Sequence, residues 1–305
     1  MATLLPQTTT FLGDRMMSTA LQQWHDRGDR LNVSGTAGTR IWRQGEGPAV
    51  LLLHGVPASA YLYRKVLPEL AKRGLEGIAL DIQGLGFSDS PQDFDYTWTG
   101  LSGWLERAIN AAGIDEFHLV VHDVGGPIGF DLIRRIPQRI SSLTVLNTLT
   151  NASTFRKPRA MRPFESPLLG PLAVRQMDSP VIVPLFRWKG VNKGPSYAEI
   201  RVYGELLAHG DKGRAFLQMM RNFETTSEFE HRVLDTLSNR AFPAQVVWGR
   251  DDAELRAERF GQDARAALGL ERDIHLVDGK HFLQENSPVE IAERIALLIA
   301  KGEDV

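Results

Sequence analysis

The chain of 305 residues contains no cysteine. That single absence removes disulfide staples, thiolate metal sites and a cysteine nucleophile together. Long hydrophobic runs are missing as well: none approaches the ~18 residues that span a bilayer. The opening MATLLPQTTTFLGDRMM has no basic segment followed by an apolar stretch of signal-peptide type. We therefore expect a cytoplasmic protein with no membrane partner. Nor is charge of one sign in excess, because 35 basic against 37 acidic residues leave a formal net charge of -2. With no basic tract able to neutralise a run of phosphates, no nucleic-acid partner is expected. His-Glu-x-x-His, a P-loop and Gly-x-Ser-x-Gly are all absent. No metal and no cofactor is implied, and an ordinary serine esterase is disfavoured. Nothing in the sequence fixes the oligomeric state.

What is present is a series of short apolar runs with helical patterns between them: 49–53 (AVLLL), 77–80 (GIAL), 117–121 (FHLVV), 143–146 (LTVL), 245–248 (QVVW) and 274–277 (IHLV). Continuous rather than alternating hydrophobicity means cover on both faces, and strands separated by helices build parallel sheets. The expected fold class is α/β, a mostly parallel twisted sheet with helices on both faces. Two edge strands are expected at 30–33 and 40–43 around the SGTAGT turn, after a stretch at 14–24 that reads as a peripheral helix or as partly disordered. The last helix opens at Ser287-Pro288-Val289-Glu290, which reads as an N-cap, a first-turn proline and a capping-box glutamate. Between about 151 and 229 the alternation gives way to proline, arginine and aromatic residues, then to helical patterns at 198–207 and 214–223. A structureless loop of that length is improbable in a compact domain, so it reads as an inserted helical cap. The expected division is an N-terminal extension at 1–28, a core at 29–150 and 227–305, and the cap at 151–226.

In an open parallel sheet, ligands bind beyond the carboxyl ends of the strands. There the chain places His54-Gly55-Val56-Pro57, Asp81 to Ser88, His122-Asp123-Val124-Gly125-Gly126, Gly249-Arg250-Asp251-Asp252 and Gly279-Lys280-His281-Phe282. An aspartate ending a strand is ordinarily a turn former. Asp123, however, is followed by two glycines that permit a sharp passage into a helix, which would hold its side chain above the sheet as a nucleophile. Asp252 is the candidate acid and His281 the candidate base. An aspartate nucleophile attacks an sp3 carbon to form an ester on its own side chain, and a histidine then activates water against that ester. The oxyanion of the second step needs donors, for which the backbone N–H groups of Val56 and Val124 are the candidates. His54 and His122 read as buried imidazoles that fix loops, Gly84 and Gly86 as turn formers, and Asp251 as solvated or capping.

The blocks HGVPASAYLYRKVLPEL, DIQGLGFSDSP, DYTW, VVHDVGGPIGF, LTVLNT, WGRDD and GKHFLQENSP, in that order, resemble the α/β-hydrolases, in the branch of haloalkane dehalogenases and epoxide hydrolases. The resemblance runs from about Gly45 to the C-terminus and is weakest in the cap. It implies Asp123, Asp252 and His281 as a triad, and cleavage of a carbon–halogen bond in a small apolar electrophile. Epoxide hydrolysis is the alternative, and a slow-turnover ligand-binding or signalling homologue is a third reading. The resemblance also implies a side-chain donor for the leaving group. The usual tryptophan after the nucleophile and the polar residue after His-Gly are both valine here. The remaining candidates lie in the cap: Trp188 for a halide, Tyr197 and Tyr203 for an epoxide oxygen.

Overall fold

A computed structural model describes residues 11–12, 15–33 and 37–304. Strands β1 (Phe11–Leu12) and β2 (Arg15–Met16) form a two-stranded antiparallel ladder ahead of helix α1 (Thr19–His25). The helix expected at 14–24 is thus shorter. Ser18 caps it through the Leu21 N–H, and Arg15–Met16 pairs as strand instead. Residues 13–14, and 34–36 in the SGTAGT turn, lie outside the described residues.

Eight further strands make the main sheet: β3 (Asp29–Leu31), β4 (Thr39–Gln44), β5 (Ala49–Leu53), β6 (Glu76–Leu80), β7 (Phe117–Asp123), β8 (Ile140–Thr148), β9 (Ala244–Gly249) and β10 (His275–Val277). Their spatial order is β10-β9-β8-β7-β5-β6-β4-β3. Pairing is antiparallel at β3–β4 and β4–β6, and parallel elsewhere. Successive side chains on a strand point to opposite faces. Leu51, Leu53, Ile78, Leu80, Leu119 and Val121 accordingly enter one core, and Val50, Leu52, Ala79 and Val120 the other. Helices α3 (Trp98–Ala111), α4 (Gly125–Arg135), α9 (Ser227–Ser238) and α10 (Gln262–Ala267) supply the first core. The second is filled from α1, α2 (Val66–Ala71) and α11 (Pro288–Lys301). The continuous apolar runs at β5 to β9 therefore did signal strands buried on two sides, each large aliphatic side chain contributing about 1.5–3 kcal/mol by leaving water, whereas β10, at the sheet edge, leaves Leu276 exposed.

Pro288 occupies the first turn of α11 as expected, but Ser287 does not cap it. Its hydroxyl donates to the Asp278 carbonyl at 2.7 Å, while Glu290 pairs with His275 at 2.7 Å. Both side chains tie the helix start to the neighbourhood of β10, a demand invisible in the local motif. Between β8 and β9 lie the inserted helices α5 (Leu169–Val174), α6 (Ile182–Gly190), α7 (Tyr197–His209) and α8 (Arg214–Arg221), followed by α9. Among the described residues no helix is long and apolar enough to cross a membrane.

Candidate active site

Asp123 ends β7 with φ 51°, a left-handed conformation that costs a non-glycine residue energy and marks a forced turn. The glycines after it make that turn possible. A Cβ on Gly125 would lie 2.6 Å from the His54 carbonyl, and one on Gly126 would lie 2.0 Å from Thr148 Oγ1. Helix α4 thus starts wedged between the ends of β5 and β8, and the Asp123 side chain projects beyond the sheet.

The carboxylate meets different partners at its two oxygens. Oδ1 accepts the Val56 N–H at 2.7 Å, and the Val124 N–H also hydrogen-bonds this carboxylate. Oδ2 faces His281 Nε2 at 3.4 Å. On the far side of the ring, His281 Nδ1 lies 3.0 Å from Asp252 Oδ2. The structure therefore brings together all five residues that sequence reasoning selected, the two valines through their backbones. Asp252 is held rigidly, because its Oδ1 accepts the N–H groups of Glu254 and Leu255 at 2.9 Å each. These bonds brace a bend and cap no helix, because the next helical stretch begins only at Ala257, behind Arg256. Asp251 instead points outward and accepts from Asn192 at 2.9 Å.

Asn147 was not singled out from the sequence. Its amide donates to Asp252 Oδ2 at 2.7 Å and accepts the Gly249 N–H at 2.8 Å, from a backbone with φ 25°. Only the end of the LTVLNT run hinted at it: an asparagine leaving a buried strand tolerates left-handed backbone.

Charge is distributed in a definite way. Burial opposes ionisation of Asp123 and of Asp252, yet the His281 hydrogen bond and charge outweigh it and hold both carboxyls below their usual range. Burial likewise opposes a charged His281, but Asp252 and Asp123 together raise it to about 10. The resting arrangement is an imidazolium between two carboxylates. His54 and His122, by contrast, are pushed down to about 4 by burial and stay neutral. His54 accepts the Ile82 N–H at 3.0 Å, and His122 donates to the His281 carbonyl at 2.8 Å. Both fix loops, as their positions suggested. Gly84 and Gly86 take φ 85° and 58°, in keeping with turns.

Asp123 and His281 open into a cavity of about 460 Å³ whose wall is mainly apolar, including Leu149, Phe164, Met177, Phe186 and Phe223. The cap candidates stand elsewhere. Trp188 is 68% exposed and outside the cavity lining. Tyr197 is 44% exposed at the start of α7. Tyr203 is buried, with its hydroxyl donated to Glu285. Helical phase turned these three away: the cavity-facing positions of α6 are Ile182, Leu185, Phe186, Lys189 and Gly190. Among the described residues no cluster of three His, Asp or Glu side chains is placed to hold a metal.

Gly55 stands against this carboxylate, where a Cβ would lie 2.2 Å from Asp123 Oδ1. Gly55→Ala is expected to push the carboxylate off its donors and to slow by about a hundredfold any reaction that depends on its placement. Single-turnover kinetics check this, with thermal melting as the control for folding. An unchanged rate would mean that Oδ1 is not held where it works.

A family described as "alpha/beta hydrolase fold" matches residues 48–168. An epoxide hydrolase from Vigna radiata superposes with a TM-score of 0.72 at 21% identity, over 90% of this chain and 97% of that one. A loop variant of a haloalkane dehalogenase from Bradyrhizobium elkanii gives 0.73 at 21% identity, over 90% and 96%. The chain has the α/β-hydrolase fold. Within that fold, haloalkane dehalogenase 2 of Mycobacterium tuberculosis is similar at 25% identity over 257 residues, 83% of this chain and 88% of the other. An uncharacterized hydrolase of Saccharomyces cerevisiae is 31% identical over 114 residues, only 36% of this chain and 39% of that protein. An α/β-hydrolase fold carries many chemistries, so the reaction must be argued from the site.

Proposed function

We propose that this α/β-hydrolase-fold protein is a cofactor-free hydrolase that takes an alkyl group onto Asp123 and releases it as an alcohol, with a carbon–halogen bond as the one it cleaves. The observation that carries this reading is the division of labour at Asp123: Oδ1 is occupied by the Val56 backbone N–H, while Oδ2 faces His281 and an apolar cavity. In the first step Oδ2 attacks the substrate carbon, an O–C bond forms, the carbon–halogen bond breaks and the halide leaves with the electron pair. The ester is neutral. One of the two charges that held His281 protonated is thereby lost, so its pKa falls, the Nε2 proton leaves to solvent with the halide, and the ring becomes available as a base. In the second step Nε2 takes a proton from water, whose oxygen attacks Cγ. The negative charge gathers on Oδ1, already seated against the Val56 N–H, with the Val124 N–H beside the same carboxylate as the second donor. Collapse expels the alkoxide, which takes the proton back from His281, and the Asp123 carboxyl then passes its remaining proton to Nε2, restoring the carboxylate and the imidazolium. Asp123 keeps the oxygen of water.

The test is a single turnover of bromobutane in heavy-oxygen water: the label enters Asp123 and the alcohol carries none. Label in the alcohol would mean direct attack by water and would sink the covalent reading. Bromide without diol from a panel that includes styrene oxide supports halide cleavage; diol without bromide reverses the order in favour of an epoxide hydrolase. No reaction with any electrophile would leave a ligand-binding protein.

With Trp188, Tyr197 and Tyr203 turned away, neither an indole nor a phenol waits for the leaving group. Halides that leave with little assistance should then dominate. Iodide and bromide release is expected to exceed chloride release by about a hundredfold, the scale of one missing donor to a developing anion. Halide assays on matched chain lengths measure it, and equal rates would reveal a donor in the site.

A further inference from the structure

The inserted helices carry an exposed apolar surface that runs outward from the cavity rim, where Leu185 both lines the cavity and stands 46% exposed. Of the larger apolar side chains left in water, Leu168 and Leu172 lie one helical turn apart along α5, with Leu169 beside them, and Val181, Leu185 and Trp188 follow the i, i+4, i+7 spacing of one face of α6. Their exposures run from 46% at Leu185 to 82% at Leu168. Both helices also wall the cavity, through Ala173, Ile182, Leu185 and Phe186, so these rows flank its mouth. Exposed apolar rows of this kind mark a contact site.

Charge identifies the contact. The stretch 151–193 holds eight Lys and Arg residues against only Glu165 and Asp178, although the whole chain has a net charge of -2. Arg156, Arg159, Arg162, Arg175, Arg187 and Lys189 are exposed. Leucine and tryptophan on one side, framed by arginine, is the pattern of a surface that lies in a bilayer interface without crossing it. Binding of this kind needs no membrane-spanning segment. A second copy of this chain would bring the same positive charge to the same face and be repelled.

We propose that the outer face of α5 and α6, with the cationic 156–162 segment, docks on an anionic lipid bilayer and turns the mouth of the apolar cavity toward the membrane. An apolar substrate dissolved in the bilayer then passes into the cavity with little exposure to water.

Trp188 makes the test direct. The other five tryptophans, Trp24, Trp42, Trp98, Trp104 and Trp248, are at most 3% exposed, so a change in emission on adding vesicles reports Trp188. Full-length protein is titrated with vesicles of phosphatidylcholine alone and of equimolar phosphatidylcholine and phosphatidylserine. The expected result is a blue shift and co-sedimentation with the phosphatidylserine vesicles, weakened by added salt. Arg159→Glu/Arg162→Glu should weaken the partitioning by about tenfold or more. Leu168→Ser/Leu172→Ser, checked for folding by circular dichroism, should remove the shift. Trp188→Phe should still co-sediment while losing the signal. No binding to phosphatidylserine vesicles, equal binding to both compositions, or binding unaffected by either double variant overturns the proposal. So does a dimer in light scattering that the leucine variant disperses, because a second copy would then own the face.

Discussion

His281→Ala is expected to stop multiple turnover while leaving Asp123 alkylated. In the proposed reaction the first step needs only an ionised Asp123, and the contacts of its carboxylate to the Val56 and Val124 N–H groups are untouched by the substitution. Removing the imidazolium does raise the carboxyl pKa, since His281 contributes most of what offsets burial there. Alkylation should therefore slow at acidic pH and proceed at neutral and alkaline pH. Hydrolysis of the ester has no such reserve. The base is gone, and Asp252 is engaged on Oδ1 by two backbone N–H groups. A loss of about 10³- to 10⁴-fold in the hydrolytic step is expected, at the upper part of the range for one general base. Incubation with bromobutane followed by mass spectrometry of the peptide containing Asp123 should show it heavier by one butyl group, with bromide released in a single stoichiometric burst. An unmodified peptide together with lost bromide release would place His281 in the first step instead. An unmodified peptide with unimpaired turnover would remove it from the reaction.

Much of this site was legible in the sequence because its members sit where secondary structure forces them. The strand ending at Leu53 lies where the apolar run 49–53 placed it, and Val56 follows three residues later, at the strand's carboxyl end. Asp123 was legible through the glycines after it, each of which is now seen to lie too close to neighbouring atoms for any Cβ. What could not be read depends on contacts across the fold. Asn147 acquires its role only because β8 lies between β7 and β9, which carries Gly249 and leads to Asp252. Ser287 looked like a helix cap, but a carbonyl 9 residues away offered its hydroxyl a better partner. In the cap, residue type alone suggested Trp188, Tyr197 and Tyr203. Which way a helix turns its side chains is fixed by packing against the core: Tyr203 turns to Glu285, and α6 gives the cavity its Phe186 face. Composition pointed to an aromatic-rich cap without its phase.

Asp252→Asn should be nearly as damaging as loss of the histidine, and for a reason that depends on its neighbours. The Glu254 and Leu255 N–H groups require an acceptor at the Oδ1 position, so the new amide must keep its oxygen there. Its NH2 then falls where Asp252 Oδ2 now receives a hydrogen bond from Asn147 and faces His281 Nδ1. Donor meets donor at Asn147. At His281 the amide can only donate to Nδ1, which moves the ring proton to Nε2, the atom that must accept a proton from water. A drop of about 10⁴-fold in turnover is expected, the scale of a wrong tautomer in a comparable triad. The charge balance changes as well. Asp252 is the largest of the influences that raise His281 to about 10, ahead of Asp123, and without it burial drives the ring toward neutrality. A histidine raised on folding gives stability that is complete below its unfolded pKa of about 6.5 and fades as pH rises through the folded value. In the protein with Asp252 that loss should fall between about pH 6.5 and 10. The variant should be less stable at pH 6 and should approach the parent as the pH nears 10. Denaturant melts across this window measure the difference, and NMR of the imidazole nitrogens reads the tautomer. A variant whose stability difference from the parent does not narrow toward pH 10 would show that Asp252 does not hold the proton on His281.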